Sequence, residues 1–243
     1  MPALPGLGDA PLQDMTLESL TSAVRYHAWL RDLAAPFLGE YPMEVGSGLG
    51  DYAAAFLAAG VPRMTLSDVE AVRLGALRAR FADDARVDVV ELNLARPLAR
   101  QHSAVFAFNV LEHIEDDAGA LRNAASMVRD DGAVIMLVPA FSFAMSDFDR
   151  KVGHMRRYTK RSLRRAFEEA GLEIEVLHYV NAPGLLAWFV GMRLLRQTPT
   201  DGLPVRLWDR LIVPVARALE TRIRPPFGQS VFAVARRRSP AHA

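Results

Sequence analysis

The chain has 243 residues, of which 51% are hydrophobic and 23% charged, which is enough apolar material for one large core. This composition excludes a disordered protein, and no run approaches the roughly 18 apolar residues of a membrane-spanning helix. Because cysteine is absent, disulfide bonds, thiolate metal sites and cysteine nucleophiles are excluded as well. The first residues show no secretion signal, so we expect a cytoplasmic protein.

The net charge of +1 conceals two parts of opposite sign. Residues 1–149 hold 11 Lys and Arg against 21 Asp and Glu, a balance of −10, whereas residues 150–243 hold 18 against 7, a balance of +11. Eight of the basic residues fall between Arg150 and Arg165. The basic part therefore either faces something anionic or spreads arginine over an ordinary solvated surface.

The N-terminal part, residues 1–40, is predicted to form a helical cap. Residues 1–14 are rich in Pro and Gly, which favours irregular structure there. Between positions 16 and 38 apolar residues recur mostly at helical spacing, which predicts one helix or two short ones, with Pro36 interrupting near the end.

Residues 41–180 alternate between short apolar runs and amphipathic segments. The apolar runs predict strands at 42–45, 64–68, 87–92, 104–108, 133–138 and 172–180. The amphipathic segments predict helices at 52–60, 69–81, 117–128 and 159–170, and a long loop is predicted at 141–158. Strand–helix alternation at this spacing is typical of a doubly wound α/β fold with a mainly parallel sheet and helices on both faces.

A long insertion, residues 181–229, precedes a last strand at 230–236 in the C-terminal segment 230–243. Two stretches, 183–196 and 205–219, have an apolar face with arginine on the other side, which predicts short amphipathic helices. Insertions of this length are usually functional. We rank a lid over the pocket first, a homodimer interface second and contact with an anionic bilayer last. Nucleic acid is disfavoured because the basic loop lacks interleaved stacking aromatics.

Three glycines within Gly46-Ser47-Gly48-Leu49-Gly50 lie between a predicted strand and a predicted helix. Such a loop presents bare backbone N–H groups to a ligand. The spacing differs from the dinucleotide fingerprint, whose third small residue would fall on Asp51. Glu44, two residues before the loop, would repel a pyrophosphate, and its alternative roles are to orient the loop or to attract an ammonium group. Asp68 ends the second predicted strand, where an acid can accept both hydroxyls of a ribose.

The run Glu44-Val-Gly-Ser-Gly-Leu-Gly50 followed by Asp68 resembles the cofactor site of class I S-adenosylmethionine-dependent methyltransferases, over residues 40–180. The resemblance implies a Rossmann-like fold in which the glycine loop approaches the methionine part, Asp68 holds the ribose and Val69 packs on the adenine. It further implies that Asn93 contacts the adenine amino group. The cofactor-binding residues implied in this way are Glu44, Gly46, Ser47, Gly48, Gly50, Asp68, Val69, Asn93, Leu94, Asn109 and Val110.

The segment Phe108-Asn-Val-Leu-Glu-His-Ile114 resembles the motif that follows the fourth strand in this family. The resemblance places Asn109 near the methionine part and opens Val110–His113 toward the substrate. For Asn93 and Asn109 the alternative is that they cap loops.

Two histidines are candidate bases, because methyl transfer often requires removal of a proton from the acceptor and histidine titrates near neutral pH. His154 lies in a Gly-His-x-Arg-Arg-Tyr motif that resembles one branch of the family, and it is the first choice as base or substrate-orienting group. His113 is second, and its alternative role is to cap a helix start or to pack.

Candidate substrate-binding residues flank this motif and the leading helix. Arg156 and Arg157 suit a carboxylate or a phosphate, or else they pair with aspartates of their own loop. Tyr158 is predicted to bond substrate or to pack. Tyr26 and Trp29 are predicted to cover the cofactor, or to form an ordinary packed helix face. We expect no metal site, because no cluster of His, Asp and Glu shows ligand spacing along the chain.

The sequence thus predicts a methyltransferase that uses S-adenosylmethionine, releases S-adenosylhomocysteine, and methylates an O or N atom of a small anionic or amphipathic metabolite. One alternative is an NAD(P)-dependent oxidoreductase, which the glycine spacing and Glu44 disfavour. The other is a non-catalytic partner protein that retains the fold.

Overall fold

The computed structural model describes residues 8–20, 22–94, 96–99, 101–190 and 203–237. Side chains within this part are described except at 16–20 and 203–204. No helix in these ranges is long and apolar enough to cross a membrane.

Seven strands of the described chain form one sheet in the order β3-β2-β1-β4-β5-β7-β6. They are β1 (Pro42–Val45), β2 (Met64–Asp68), β3 (Val87–Glu91), β4 (His102–Phe108), β5 (Val128–Pro139), β6 (Leu172–Val180) and β7 (Ser230–Arg237). The pairs among β1 to β5 are parallel, and β7 runs antiparallel between β5 and β6. The predicted doubly wound, mainly parallel sheet is confirmed.

Helices cover both faces of this sheet, and its central strands are therefore buried on both sides. The helices are α1 (Ala10–Leu20), α2 (Val24–Leu38), α3 (Asp51–Ala58), α4 (Ala71–Arg80), α5 (Asp117–Met127), α6 (Asp147–Lys151), α7 (Lys160–Glu169), α8 (Ala182–Trp188), α9 (Leu203–Leu207) and α10 (Val213–Glu220). Two apolar clusters form the core, one centred on Met43, Leu121 and Phe167 and the other on Leu30, Phe56 and Phe106. Such two-sided burial explains the continuous apolar runs of the parallel strands.

The N-terminal prediction is partly wrong, because α1 begins at Ala10 rather than after residue 14. The carboxylate of Asp9 accepts a hydrogen bond from the main-chain N–H of Leu12 at 3.1 Å, which stabilises the start of this helix. The two-helix alternative for 16–38 is the one observed, and α2 continues through Pro36 to Leu38. Residues 1–7 lie outside the described part.

The predicted loop 141–158 contains two short helical pieces, a 3-10 turn at Ser142–Ala144 and α6. A reciprocal capping box joins Ser146 and Asp149 at the start of α6. The loop therefore has an ordered backbone that sequence periodicity, applied to so short a helix, does not reveal.

The described part of the insertion is helical: α8, α9, a π-helical turn at Trp208–Ile212, and α10. The second predicted helix is confirmed. The described part of the first contains α8, Ala182–Trp188, and residues 191–202 lie outside the described part. Asp209 accepts hydrogen bonds from the N–H groups of Arg25 and Tyr26 at 3.1 and 2.9 Å, at the start of α2. Glu220 accepts from Asn181 and Ala182 at 2.9 and 2.8 Å, at the start of α8. Asp209 thus fastens the insertion to α2, and Glu220 joins the end of α10 to the start of α8 within the insertion.

Candidate functional site

The glycine loop has a backbone that only glycine adopts easily. The φ angle is +72° at Gly46, +56° at Gly48 and +81° at Gly50, all in the left-handed region. A Cβ atom at Gly46 would lie 2.6 Å from Cγ2 of Val110. The loop therefore leads from β1 into α3 while lying against the segment that follows β4.

This position is the switch point of the sheet. Successive strands from β1 run toward one edge, and those from β4 run toward the other. Gly46 and Asn109 directly follow the paired strands β1 and β4, and both are exposed. Asn109 has a φ of +55°, a conformation that asparagine tolerates better than most residues. In doubly wound sheets the crevice at such a point is where ligands bind.

Asp68 connects the glycine loop to the end of β2. Its buried carboxylate accepts hydrogen bonds from the N–H groups of Gly48 at 3.1 Å, Val69 at 2.8 Å and Glu70 at 3.0 Å. The structure thus brings Asp68 to the glycine loop. Asn93 and Leu94 follow β3, the neighbouring strand, where Asn93 is partly exposed and Leu94 is buried.

Glu44 lies beneath the same loop with an unsatisfied oxygen. The residue is 3% exposed, and its Oε2 has no hydrogen-bond partner among the described residues. Burial raises the pKa of Glu44 to about 8, although Ser47 opposes the shift. A cationic group in the crevice would supply the partner that this carboxyl lacks.

Helix α2 lies over the glycine-loop side of the sheet. The ring of His27 lies 4.6 Å from that of Tyr52 in α3, and Tyr52 meets Phe108 edge-on at 5.0 Å. Tyr26 contacts Trp208 of the insertion at 5.3 Å, and burial raises its pKa to about 12. Trp29 is 3% exposed and belongs to the core, so its contacts are those of the packing alternative.

A second group of side chains assembles beyond Asn109. Glu112 and His113 lie in the 3-10 turn Leu111–His113, which follows β4. His154 follows α6. Nε2 of His154 is 3.7 Å from Oε1 of Glu112, and the His113 and His154 rings meet edge-on with centroids 4.7 Å apart. The two predicted histidines are therefore neighbours.

Burial gives the members of this group unusual acidities. Glu112 is fully buried, neither of its side-chain oxygens has a hydrogen-bond partner among the described residues, and burial raises its pKa to about 7. Burial, together with the proximity of His154, lowers the pKa of His113 to about 4. Near neutral pH His113 is thus uncharged and Glu112 titrates.

Asp149 fixes the orientation of His154. Its Oδ1 lies 2.8 Å from Nδ1 of His154 and 2.8 Å from a guanidinium nitrogen of Arg157, while Oδ2 accepts from the main-chain N–H and the hydroxyl of Ser146. Burial alone would raise the pKa of Asp149, but these donors hold it below its usual value. Because an ionised carboxylate only accepts, Nδ1 of His154 carries the proton and Nε2 is free to accept one.

Of the remaining motif residues, Arg157 bonds within its own loop, whereas Arg156 and Tyr158 bond to Asp117 in α5. The side chain of Arg157 is 2% exposed and committed to Asp149 and to the carbonyl of Ala140. Arg156 pairs with Asp117 at 2.9 Å, and the hydroxyl of Tyr158 donates to the same carboxylate at 2.9 Å. Arg156, at 32% exposure, remains within reach of solvent. The alternative that these arginines pair with aspartates of their own loop is observed for Arg157, whereas Asp117, the partner of Arg156, lies outside that loop and was not predicted.

Sequence reasoning also missed the spatial cluster formed by Glu112, His113 and His154. Each of the three residues offers one ligand atom, and these atoms lie within 4.8 Å of one another. The spacing along the chain does not indicate this cluster, because His154 lies about forty residues after the adjacent Glu112 and His113, and the expectation that there is no metal site stays a prediction. A 2-His-1-carboxylate set is one that can hold a divalent transition metal.

Comparison with known proteins identifies the family. The chain matches the family model described as "Methyltransferase domain" over residues 22–177, which is more than half of its length. No curated protein matches the sequence.

Several solved structures have the same fold. A protein assigned as a methyltransferase, in complex with a Haloferax volcanii methyltransferase activator, has a TM-score of 0.61 and 13% identity over 95% of both chains. The cyclase SpnF has a TM-score of 0.58 and 18% identity over 86% of this chain and 79% of its own. An O-methyltransferase of neocarzinostatin biosynthesis, in complex with S-adenosylmethionine and 2-hydroxy-5-methyl naphthoic acid, has a TM-score of 0.54 and 16% identity over 88% of this chain and 57% of its own. At these identities the likeness shows the fold alone.

Proposed function

Because the chain belongs to the methyltransferase-domain family, we propose that it transfers a methyl group from S-adenosylmethionine to an O or N atom of a small anionic or amphipathic metabolite of the secondary-metabolite type. The observation that carries this proposal is the adjacency of two sites at the β1–β4 switch point. The glycine loop follows one strand, and the Glu112–His154 cluster follows the other and faces the same edge.

The residues around the glycine loop fit this cofactor. The unpartnered oxygen of buried Glu44 suits the ammonium group of a methionine moiety. Asp68, already an acceptor for three N–H groups, stands where ribose hydroxyls would donate. Residues 41–180 would thus form the cofactor-binding core. When bound, S-adenosylmethionine supplies a methyl group already activated on its sulfonium.

His154 is the proposed base. With Nδ1–H held by Asp149, its Nε2 can take the proton of an acceptor O–H or N–H group as that atom becomes nucleophilic. The imidazolium formed in this way has a second carboxyl group beside it, because Oε1 of Glu112 lies 3.7 Å from Nε2. A positioned imidazole of this kind contributes about 10²–10⁴ to the rate.

The proposed substrate class is inferred from the side chains that remain available to bind a substrate. Arg157 is committed to Asp149, so Arg156 is the motif arginine that can approach an anionic group. Met155, 44% exposed, and Phe143, 59% exposed, add apolar surface beside His154 and in the loop after β5. A molecule with a negative group and an apolar body suits these side chains.

The alternatives make different predictions for ligand binding. An NAD(P)-dependent oxidoreductase would place a pyrophosphate at the start of α3, where Asp51 is the first residue and Glu44 lies nearby. A non-catalytic partner protein that retains the fold would show no methyl transfer to any acceptor.

Calorimetric titration with S-adenosylmethionine, S-adenosylhomocysteine and NAD(H) tests the cofactor. We expect micromolar binding of the first two and none of the third. Tight binding of NAD(H) without a response to S-adenosylmethionine would overturn the proposal.

Turnover on a panel of phenols, carboxylic acids and amines tests the base. We expect His154→Ala to reduce turnover about 10²–10⁴-fold while cofactor affinity changes less than twofold. Glu115→Gln, an exposed neighbour of the site, should leave the rate unchanged. If turnover of the wild type is abolished by EDTA and restored by a divalent metal, His154 is a ligand rather than the base.

A further inference from the structure

The outer side of the insertion carries a regular stripe of exposed apolar side chains. Leu207, Leu211, Val215, Leu219 and Ile223 recur every four residues through α9, the π-helical turn, α10 and the turn after it, and each is between 45% and 71% exposed. Large apolar residues exposed in a row of this kind mark a surface that is covered in use. We call this stripe, together with Arg206, Arg210 and Arg222, the Leu–Arg face.

The charges of the Leu–Arg face are of one sign. Arg206, Arg210 and Arg222 are exposed and have no ion-pair partner within the described ranges. The only acidic residues between positions 203 and 227 are Asp209 and Glu220, which are 3% and 8% exposed and turned inward to cap α2 and α8. The outward surface of this segment therefore combines apolar and cationic groups without an exposed carboxylate.

We propose that the Leu–Arg face binds the surface of an anionic bilayer, with α9 and α10 lying in the plane of the headgroups. An apolar stripe flanked by arginine is the pattern of interfacial helices, whose apolar side enters the headgroup boundary while the cations meet anionic lipid. A second copy of the chain is a poorer occupant, because a two-fold interface would bring the arginines of both copies together with no exposed acid to pair them.

The fastening of the insertion supports a fixed docking surface rather than a moving lid. Asp209 holds the start of α2 and Arg217 pairs with Asp32 of α2, so the segment from α9 to α10 is bonded to α2 at two points. The helices are therefore already folded when they meet a bilayer, and binding does not incur the entropic cost of folding them.

Vesicle flotation with the full chain tests the proposal. The probes are vesicles of phosphatidylcholine alone and of equal parts phosphatidylcholine and phosphatidylglycerol, each at low and high salt. We expect binding to the anionic vesicles, weakened by salt because the arginine contribution is screened. Absence of binding to anionic vesicles would overturn the proposal and favour an acidic protein partner.

Two double variants separate the apolar from the charged contribution. Leu211→Ser with Leu219→Ser should weaken vesicle binding at least about tenfold, because two leucines no longer enter the headgroup boundary. Arg206→Gln with Arg210→Gln should weaken it about fivefold for each arginine and remove the salt dependence in proportion.

The controls use exposed residues on other helices. Val72→Ser on α4 removes an apolar group that is 78% exposed, and Arg161→Gln with Arg165→Gln removes two charges from α7; neither should change vesicle binding. Equal weakening by the controls would show non-specific attraction and overturn the proposal.

A wild-type dimer in light scattering that the leucine variant dissociates would overturn the proposal in favour of a second copy. Unchanged thermal unfolding and cofactor titration establish that the variants are folded.

Discussion

The two candidate sites at the carboxyl edge of the sheet are the glycine loop and the histidine cluster, which consists of Glu112, His113 and His154. They differ in the kind of group that each presents. The glycine loop presents main chain, with three residues at positive φ and a carboxyl group, Glu44, that lacks a partner. The histidine cluster presents side chains that are already bonded to one another, since Asp149 holds His154, Arg157 and Ser146 together.

The two sites therefore differ in how many of their hydrogen-bond partners the fold itself supplies and how many a ligand would supply. At the glycine loop the missing partner of Glu44 would come from the ligand. In the histidine cluster Asp149 sets the orientation of His154 without a ligand, as the proposed proton transfer would require. Glu112 and Nδ1 of His113 are the exceptions in the cluster, because they are buried without a hydrogen-bond partner among the described residues.

The largest effect should come from breaking the bonded cluster. Arg157→Ala leaves Asp149 buried without its main counter-charge, and we expect a loss of about 3–5 kcal/mol in the free energy of unfolding, measured in urea. Arg150→Ala, which removes the exposed ion pair with Asp147, should cost less than about 1 kcal/mol. If the two variants were equally stable, the buried pair would not be what holds this loop.

A smaller effect, with a definite pH dependence, should come from Glu112→Gln. The folded protein holds a proton on Glu112 up to about pH 7, because burial raises its pKa above the ordinary 4.5. The folded state therefore binds more protons than the unfolded state between these values, and stability falls as pH rises through this window. Glutamine does not titrate, so the variant should gain at most about 3 kcal/mol over the wild type at pH 8.

The same comparison should show no such gain at pH 4, where both states of the wild type carry the proton. Glu115→Gln, at an exposed position, serves as the control and should be neutral at both values. A gain of equal size at pH 4 and pH 8 would contradict the burial of an ionisable group at Glu112.

The smallest of these effects concerns the main-chain site. Gly46→Ala should cost about 1–2 kcal/mol because of its positive φ, and it should weaken S-adenosylmethionine binding because the new Cβ meets Val110. Adding Val110→Ala should relieve the contact while leaving the backbone strain. Gly75→Ala, in α4 with open space around its Cβ position, should instead stabilise by up to about 1 kcal/mol.

The glycine loop could be predicted from sequence because its features are consecutive. The strand, the three glycines and the helix start all lie within residues 42–51, and Asp68 follows at the next strand end. The alternation of strands and helices likewise predicts the sheet. The short helix α6 and the early start of α1 depend on hydrogen bonds made by Ser146, Asp149 and Asp9, which periodicity does not represent.

The histidine cluster could be predicted only in part. His113 and His154 stand out by position, but that Glu112 is buried beside His154 is known only once the segments after β4 and β5 are placed side by side. Asp117 as the partner of both Arg156 and Tyr158 is a long-range pairing of the same kind. Contacts across about forty residues carry no local signature in a single sequence.

The bond from Asp209 to the start of α2 gives the molecule a built-in reporter. The amide hydrogens of Arg25 and Tyr26 are held by a carboxylate more than 180 positions away in the chain. Their exchange with deuterated water is therefore gated by detachment of the insertion rather than by fraying of α2 alone. The exchange rates of these two amides measure how often the insertion lifts from the core.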